Sequence, residues 1–315
     1  MTGKGNILEK KNSKSFFAEL GLIFATILWG ASFFVIKDSL AGVSPNSLVA
    51  YRFLIAAVVM AVIVKFQKKK LFSNFKAGLV VGFFLWSMSL SQSIGLGITS
   101  ASNSGFITSM FIVFVAIFSV MFFKEKIAVA RVVAVIVDVI GLWFLTGGLK
   151  DINKGDLLTL VTAMVCAFHV LFVDRFRKQK ADAYVLCFQQ FLVTGILSLI
   201  VSVSFNIPLA ITSTKALLGV IFLALLPGVT AYLIQLKAQK YTSSIKTSLI
   251  LTLEPVFAAG FAWTLGGEKF ILAGAFGGLL IVIGMLISEI PFGKAKEASE
   301  GKEVEEEREG ELFVK

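Results

Sequence analysis

The sequence predicts an all-α membrane protein in which ten transmembrane helices form two inverted five-helix repeats around a central cavity. Three observations lead there: apolar runs of about membrane-spanning length, an alternating placement of Lys and Arg between them, and an internal repeat. Of the 315 residues, 57% are hydrophobic and 16% charged, whereas soluble domains carry about a quarter charged residues. Mean hydropathy is +0.86. The charges sit in short clusters between the apolar runs. Core helices of a large soluble protein would need polar faces and longer loops, and these runs have neither.

The runs cover approximately 16–36, 46–65, 75–96, 101–123, 128–146, 157–177, 184–205, 215–236, 246–265 and 271–290. Each is close to the ~20 residues that cross ~30 Å of hydrocarbon. A backbone in lipid must satisfy its own hydrogen bonds, so runs of this length are helices. The first run follows a polar, lysine-rich stretch and lacks a small-residue cleavage site, so it is expected to stay as a helix. Residues 1–15 read as a cytoplasmic tail, 16–146 and 157–290 as the two repeats, and 147–156 as an external linker. Residues 291–315 read as a solvated acidic tail, with eight Glu after residue 296.

Lys and Arg fix the orientation. With flanking turns included, the amino tail and the second, fourth, sixth and eighth loops carry 4, 5, 3, 4 and 3 of them. The odd-numbered loops carry 1, 0, 2, 1 and 1, a total of 19 against 5. The rich set is expected on the cytoplasmic side, which places both termini inside and requires an even number of spans. The net charge of +10 is therefore topology rather than a nucleic-acid surface. The 25 Lys against 5 Arg point to an AT-rich bacterial genome and so to a bacterial cytoplasmic membrane.

Shifting the chain by 143 residues lays 92–141 on 235–284 without a gap, with 13 of 50 positions identical. The matches include Gln92 on Gln235, the doublet Thr99-Ser100 on Thr242-Ser243, and Glu125-Lys126 on Glu268-Lys269. They also include Gly141 on Gly284. An offset of 137 lays the first span on the sixth. The unit is thus five helices, and five is odd, so the second copy enters the bilayer from the other side. Inverted repeats of this kind build alternating-access transporters with the solute site between the repeats.

At this point the chain resembles the EamA-type drug/metabolite transporter superfamily. The resemblance rests on ATILWGASFFVIKDSL at 25–40, YRFLIA at 51–56 and TSASNSGFITSMFIVFVAIFSVMFFKEKI at 99–127. In the second half it rests on TSSIKTSLILTLEPVFAAGFAWTLGGEKF at 242–270. It implies ten helices, secondary transport of metabolites, and a cavity lined by the first, third, fourth, sixth, eighth and ninth spans. It leaves the second and fifth spans peripheral. The sixth span departs from the pattern, with Cys166 where an aromatic is common.

Ionisable groups within spans are costly and are functional candidates by default. Glu254 lies about 12 Å into the ninth span at ~1.5 Å per residue. Pro255 follows it, disrupts the local ladder and marks a hinge. Glu254 either binds a cationic group or carries a proton, or it is capped as part of a kink. His169, the one histidine, shares a stripe with Thr159, Thr162 and Cys166 and either couples protons or stays neutral and hydrogen-bonded. Asp138 and Arg52 read as structural partners of each other or of nearby hydroxyls, with proton carrying by Asp138 the sharper alternative. Trp29 and Trp86 near midplane suggest a wall that stacks a planar or cationic solute, against simple packing. Gln92 and Gln235 are expected at opposite ends of the cavity. Asn103 and Ser104 read as a helix cap, and Pro227-Gly228 as a second hinge. Gly274 and Gly278 offer a close-packing face within a monomer or across a homodimer. Cys166 and Cys187 read as packed thiols.

The expected activity is transport of a small metabolite, an amino acid or related zwitterionic or cationic solute. Alternating access, with or without proton coupling, moves it, and export is the commoner theme of the resembling family. The expected partners are that small-molecule solute and the lipid bilayer, with no nucleic acid and no cofactor. The competing reading is an intramembrane enzyme acting on lipid or peptide. It would need a nucleophile–base pair or a metal cluster, and the sequence has one His and no His-Glu-x-x-His pattern. No Walker A motif is present to couple ATP.

Overall fold

A computed structural model describes residues 2–99, 101–124, 127–146, 153–264, 270 and 272–287. The tail at 291–315 and most of the 147–156 linker lie outside the described residues, as do the side chains of residues 1–14 and of Asn103. The described elements are all helical. In chain order they begin with α1 (Thr2–Ser39), α2 (Pro45–Phe66) and α3 (Phe75–Ile98). Then come α4 (Ala101–Ser109), α5 (Phe111–Phe123), α6 (Val129–Thr146), α7 (Lys154–Lys178) and α8 (Ala183–Ser204). The eighth apolar run folds as α9 (Thr214–Leu223), a π-helical segment (Ala224–Ala231) and α10 (Tyr232–Ala238). The chain ends in α11 (Ser244–Leu251), α12 (Glu254–Thr264) and α13 (Leu272–Ile287).

Six helical stretches are long and apolar enough to cross a bilayer by themselves, and shorter apolar helices accompany them. Their starts carry side-chain caps. Ser44 accepts from the Ser47 amide ahead of Pro45, a residue suited to a first turn because its missing N–H would be unpaired there anyway. Asn153 and Asp156 form a reciprocal capping box on α7. Asp182, Ser213 and Ser243 cap α8, α9 and α11.

Three runs that read as continuous are interrupted. The fourth breaks at Met110, between α4 and α5. The ninth breaks at Thr252–Leu253, between α11 and α12. That break lies just ahead of Pro255, which sits in the first turn of the new helix, where a ring that would clash with a preceding turn is tolerated. In the eighth, Pro227 falls inside the π-helical segment, where the wider turn absorbs the missing amide. Ser104 falls inside α4 instead of capping it.

The packing inverts that of a soluble domain. Phe34, Phe83, Val58, Ile136, Ile200 and Leu279 are exposed along helix sides, a surface stable only against hydrocarbon. Meanwhile Gln189, Gln190, Gln239, Thr159 and Thr194 are buried. α2 packs along α8, α3 along α7 and α8, and α6 along α13. α1 crosses α9, the π segment, α10 and α12. Gly141 and Gly284 let α6 and α13 meet: a Cβ on Gly141 would lie 2.8 Å from the Gly277 carbonyl, and one on Gly284 would lie 3.1 Å from that of Ala134. Gly277 and Gly284 of α13 thus pack within the chain, and Gly274 and Gly278, the pair the sequence singled out, are buried.

Loop contacts sort into two ends. At one end the Thr212 amide donates to Gly42 O at 2.8 Å and Tyr51 to Leu209 O at 2.7 Å. Thr99 donates to Asp156 there at 2.5 Å. At the other end Lys69 pairs with Asp182 at 2.6 Å and Lys246 with Glu19 at 2.7 Å. Partial burial works against the Asp182 charge, but the bond from Lys69 and those from the Val185 and Tyr184 amides outweigh it and hold its carboxyl below the ordinary range. The fold is that of a multi-pass helical membrane protein.

Candidate functional site

A cavity lies between the helices, and its walls come from both halves of the chain. Trp29 and Ser32 enter from α1, Arg52 and Phe53 from α2, and Met88 and Gln92 from α3. Thr108 and Phe111 flank the break between α4 and α5. α7 contributes Thr162, Cys166 and His169. Pro227, Gly228, Tyr232 and Gln235 come from the π segment and α10, and Leu251 and Glu254 from either side of the second break. The space between these walls is about 760 Å³ when the volume open to solvent is counted with it.

Glu254 is the first residue of α12, where a helix N-terminus favours negative charge. It is partly buried, and among the described residues no hydrogen-bond or ion-pair partner reaches its carboxylate. The break in the ninth run therefore delivers an unpaired acid to the cavity, as its pairing with Pro255 suggested.

His169 is buried, and its Nε2 lies 3.0 Å from Gln190 Oε1. With the amide so oriented, Nε2 carries the proton and Nδ1 is left as an acceptor. The ring also meets Tyr232 edge-on at 6.0 Å. On the same stripe, Thr162 shares a hydrogen bond with Ser91 at 2.7 Å, whereas Thr159 turns to Gly155 O and Ser104.

The two tryptophans part company. Trp29 donates from its indole to Pro227 O at 3.0 Å and meets Tyr232 edge-on at 5.1 Å. It thus ties α1 to the distorted segment and forms wall. Trp86 is not among the lining residues; its ring lies 5.9 Å from that of the exposed Phe83. Asp138 also lies away from the lining, fully buried, and accepts from the Thr252 hydroxyl at 2.8 Å. It braces the break from behind, and its partner is a hydroxyl rather than Arg52. Gln92 and Gln235 both line this cavity, and Gln235 Oε1 has no partner among the described residues.

Sequence reasoning placed Arg52 on a peripheral helix; the structure turns it into the cavity. Tyr232 was missed altogether, although it contacts Trp29, Phe53, His169 and Phe191. A tyrosine in mid-span one helical turn from Gly228 was the available signal.

Removing the indole donor tests the tie between α1 and the π segment. Trp29→Phe keeps much of the wall but leaves Pro227 O unpaired, and loss of such a bond costs about 1–3 kcal/mol. Thermal unfolding of the variant is expected to fall by that amount, with a weaker apparent affinity for the transported solute. An unchanged melting temperature and affinity would mean that the tie does not matter.

Comparison with known proteins agrees with this fold. The EamA-like transporter family matches residues 16–147 and 153–289; the chain belongs to that family. A protein of Archaeoglobus fulgidus described as an uncharacterized transporter is 29% identical over 274 residues, covering 87% of this chain and 86% of its own. The uncharacterized transporter YyaM of Bacillus subtilis is 27% identical over 303 residues, covering 88% and 96%. A crystal structure superposes with a TM-score of 0.73 at 19% identity, covering 86% of this chain and 96% of the other. Family and relatives make the chain a membrane transporter.

Proposed function

We propose that the chain is a secondary transporter that moves a small zwitterionic or cationic metabolite by alternating access. The observation that carries this reading is the cavity between the halves, in which Glu254 stands without a protein partner. A proton and a solute ammonium would compete for that carboxylate. Such competition makes proton-for-solute exchange, and hence export, the natural direction. His169, with Nδ1 free to accept, is the second candidate for coupling, and Asp138 a third, acting through Thr252. Pro227, Gly228 and Pro255 mark where the eighth and ninth helices would bend.

Ten spans in two inverted halves, 16–146 and 157–290, carry this function. The register supports it: Met110 and Leu253, at the two breaks, are 143 residues apart, as are Gly141 and Gly284. The contacts support it too. α3 and α5 lie on α7 as α10 and α12 lie on α1, and Thr99 meets Asp156 at one end as Lys246 meets Glu19 at the other. The family matches two successive stretches with nearly these bounds. Both termini then lie on the cytoplasmic face of a bacterial inner membrane, and a single chain holds the whole cavity.

Proteoliposomes loaded with candidate solutes test this directly. The expected result is saturable exchange that responds to a pH gradient, with tags at both ends accessible from one face. No flux of any solute, or termini on opposite faces, would overturn the reading.

A further inference from the structure

Arg52 has no role in that account. It is 8% exposed and lines the cavity. Its Nε has no partner among the described residues, and its guanidinium carbon lies 4.6 Å from the Phe53 ring centroid. A guanidinium presents five donors in a planar fork that matches a carboxylate. Holding it in an apolar wall without an anion is strongly unfavourable. Glu254 stands in the same cavity with the opposite need, and no ion pair joins the two. Tyr232 lines the same cavity as both. Trp29, Met88, Phe111 and Leu251 supply apolar surface beside the polar Gln92, Thr162 and Gln235.

We propose that Arg52 and Glu254 form a dipolar clamp for an apolar α-amino acid, Arg52 taking its carboxylate and Glu254 its ammonium. The inference rests on the transport reading and narrows it. A simple cation would satisfy Glu254 and leave Arg52 unpaired in the wall. A simple anion would do the reverse. Only a solute carrying both charges satisfies both walls, and each charge-assisted bond is about twice as strong as a neutral one. The aromatic and thioether surface then favours an apolar side chain over a charged one.

The clamp is tested on the purified full chain with L-leucine, L-methionine and L-phenylalanine as probes. Each is compared with its methyl ester, which keeps only the ammonium, and with its 2-hydroxy acid, which keeps only the carboxylate. Ligand-dependent thermal stabilisation reports affinity. Unmodified protein is expected to bind at least one of the amino acids about tenfold or more tightly than either analogue, the scale of one lost charge-assisted bond. Arg52→Gln is expected to bring the acid-to-ester ratio near one, with Arg52→Lys retaining part of it. Glu254→Gln is expected to collapse the amino-to-hydroxy ratio and leave the acid-to-ester ratio in place. Methyl esters that bind the unmodified protein as tightly as the amino acids overturn the clamp, whether or not the variants fold. So does an Arg52→Gln protein with the original ratios, or a transporter that exchanges other solutes and binds none of the three. In those cases transport itself stands; absence of flux for every solute defeats the transport reading instead.

Discussion

Glu254→Gln is expected to abolish solute flux while leaving the protein folded. The two amide and carboxylate shapes are nearly the same, so the packing at the start of α12 is preserved. Among the described residues no partner is lost, because none reaches the carboxylate. The stability cost is the charge–dipole interaction at a helix N-terminus, about 0.3–1 kcal/mol. The functional cost is larger. A carboxylate that receives an ammonium in a poorly hydrated cavity contributes about 1.5–3 kcal/mol through the charge-assisted bond alone. A neutral amide also cannot take up and release a proton between the two sides. Flux in proteoliposomes should therefore fall about a hundredfold or more, the equivalent of losing ~2.8 kcal/mol at 1.4 kcal/mol per decade. The melting temperature in detergent should move little. Glu254→Asp, which keeps the charge on a shorter arm, should retain part of the activity. Transport at the original rate in Glu254→Gln would remove this residue from the site.

How much of this was legible in the sequence differs from residue to residue. The break at Glu254-Pro255 was readable because proline acts on its own backbone, and the acid beside it was costly enough to notice. The break at Met110 has no proline and no local signal; only its register against Leu253 points to it. Which way a span faces was harder still. An amphipathic helix shows its buried stripe through a change from apolar to polar, but α2 and α3 are apolar nearly all round because lipid replaces water outside. Arg52 consequently lines the cavity where it was not expected, and Trp86 does not. The partner of His169 is 21 residues away on another helix, and the Asp138–Thr252 bond spans 114 residues. Contacts of that kind follow from how helices cross, which hydropathy does not record.

The helix crossing that places Glu254 depends on a glycine, and it yields the second large effect. Gly30 sits where α1 passes over the start of α12. A Cβ there would lie 2.8 Å from the Phe257 Cβ, 2.9 Å from the Glu254 carbonyl oxygen and 3.0 Å from the Ala258 amide. Two of these are backbone atoms of a helix and cannot swing aside as the tip of a long side chain would. Gly30→Ala must therefore push α1 and α12 apart, and overpacking of this kind costs about 1–3 kcal/mol. The displaced atoms belong to Glu254, while Trp29 precedes the substituted position. Flux should accordingly fall more steeply than stability, and Gly30→Leu should lose both. Gly260 provides the control, because it lies on the same α12 and a Cβ on it would meet nothing within 4 Å. Gly260→Ala should keep full flux and gain up to about 1 kcal/mol from the better helix former. If Gly30→Ala melts and transports like the unmodified protein while Gly260→Ala behaves as expected, α1 and α12 do not approach this closely in the transporting state, and the position assigned to Glu254 would have to be abandoned with them.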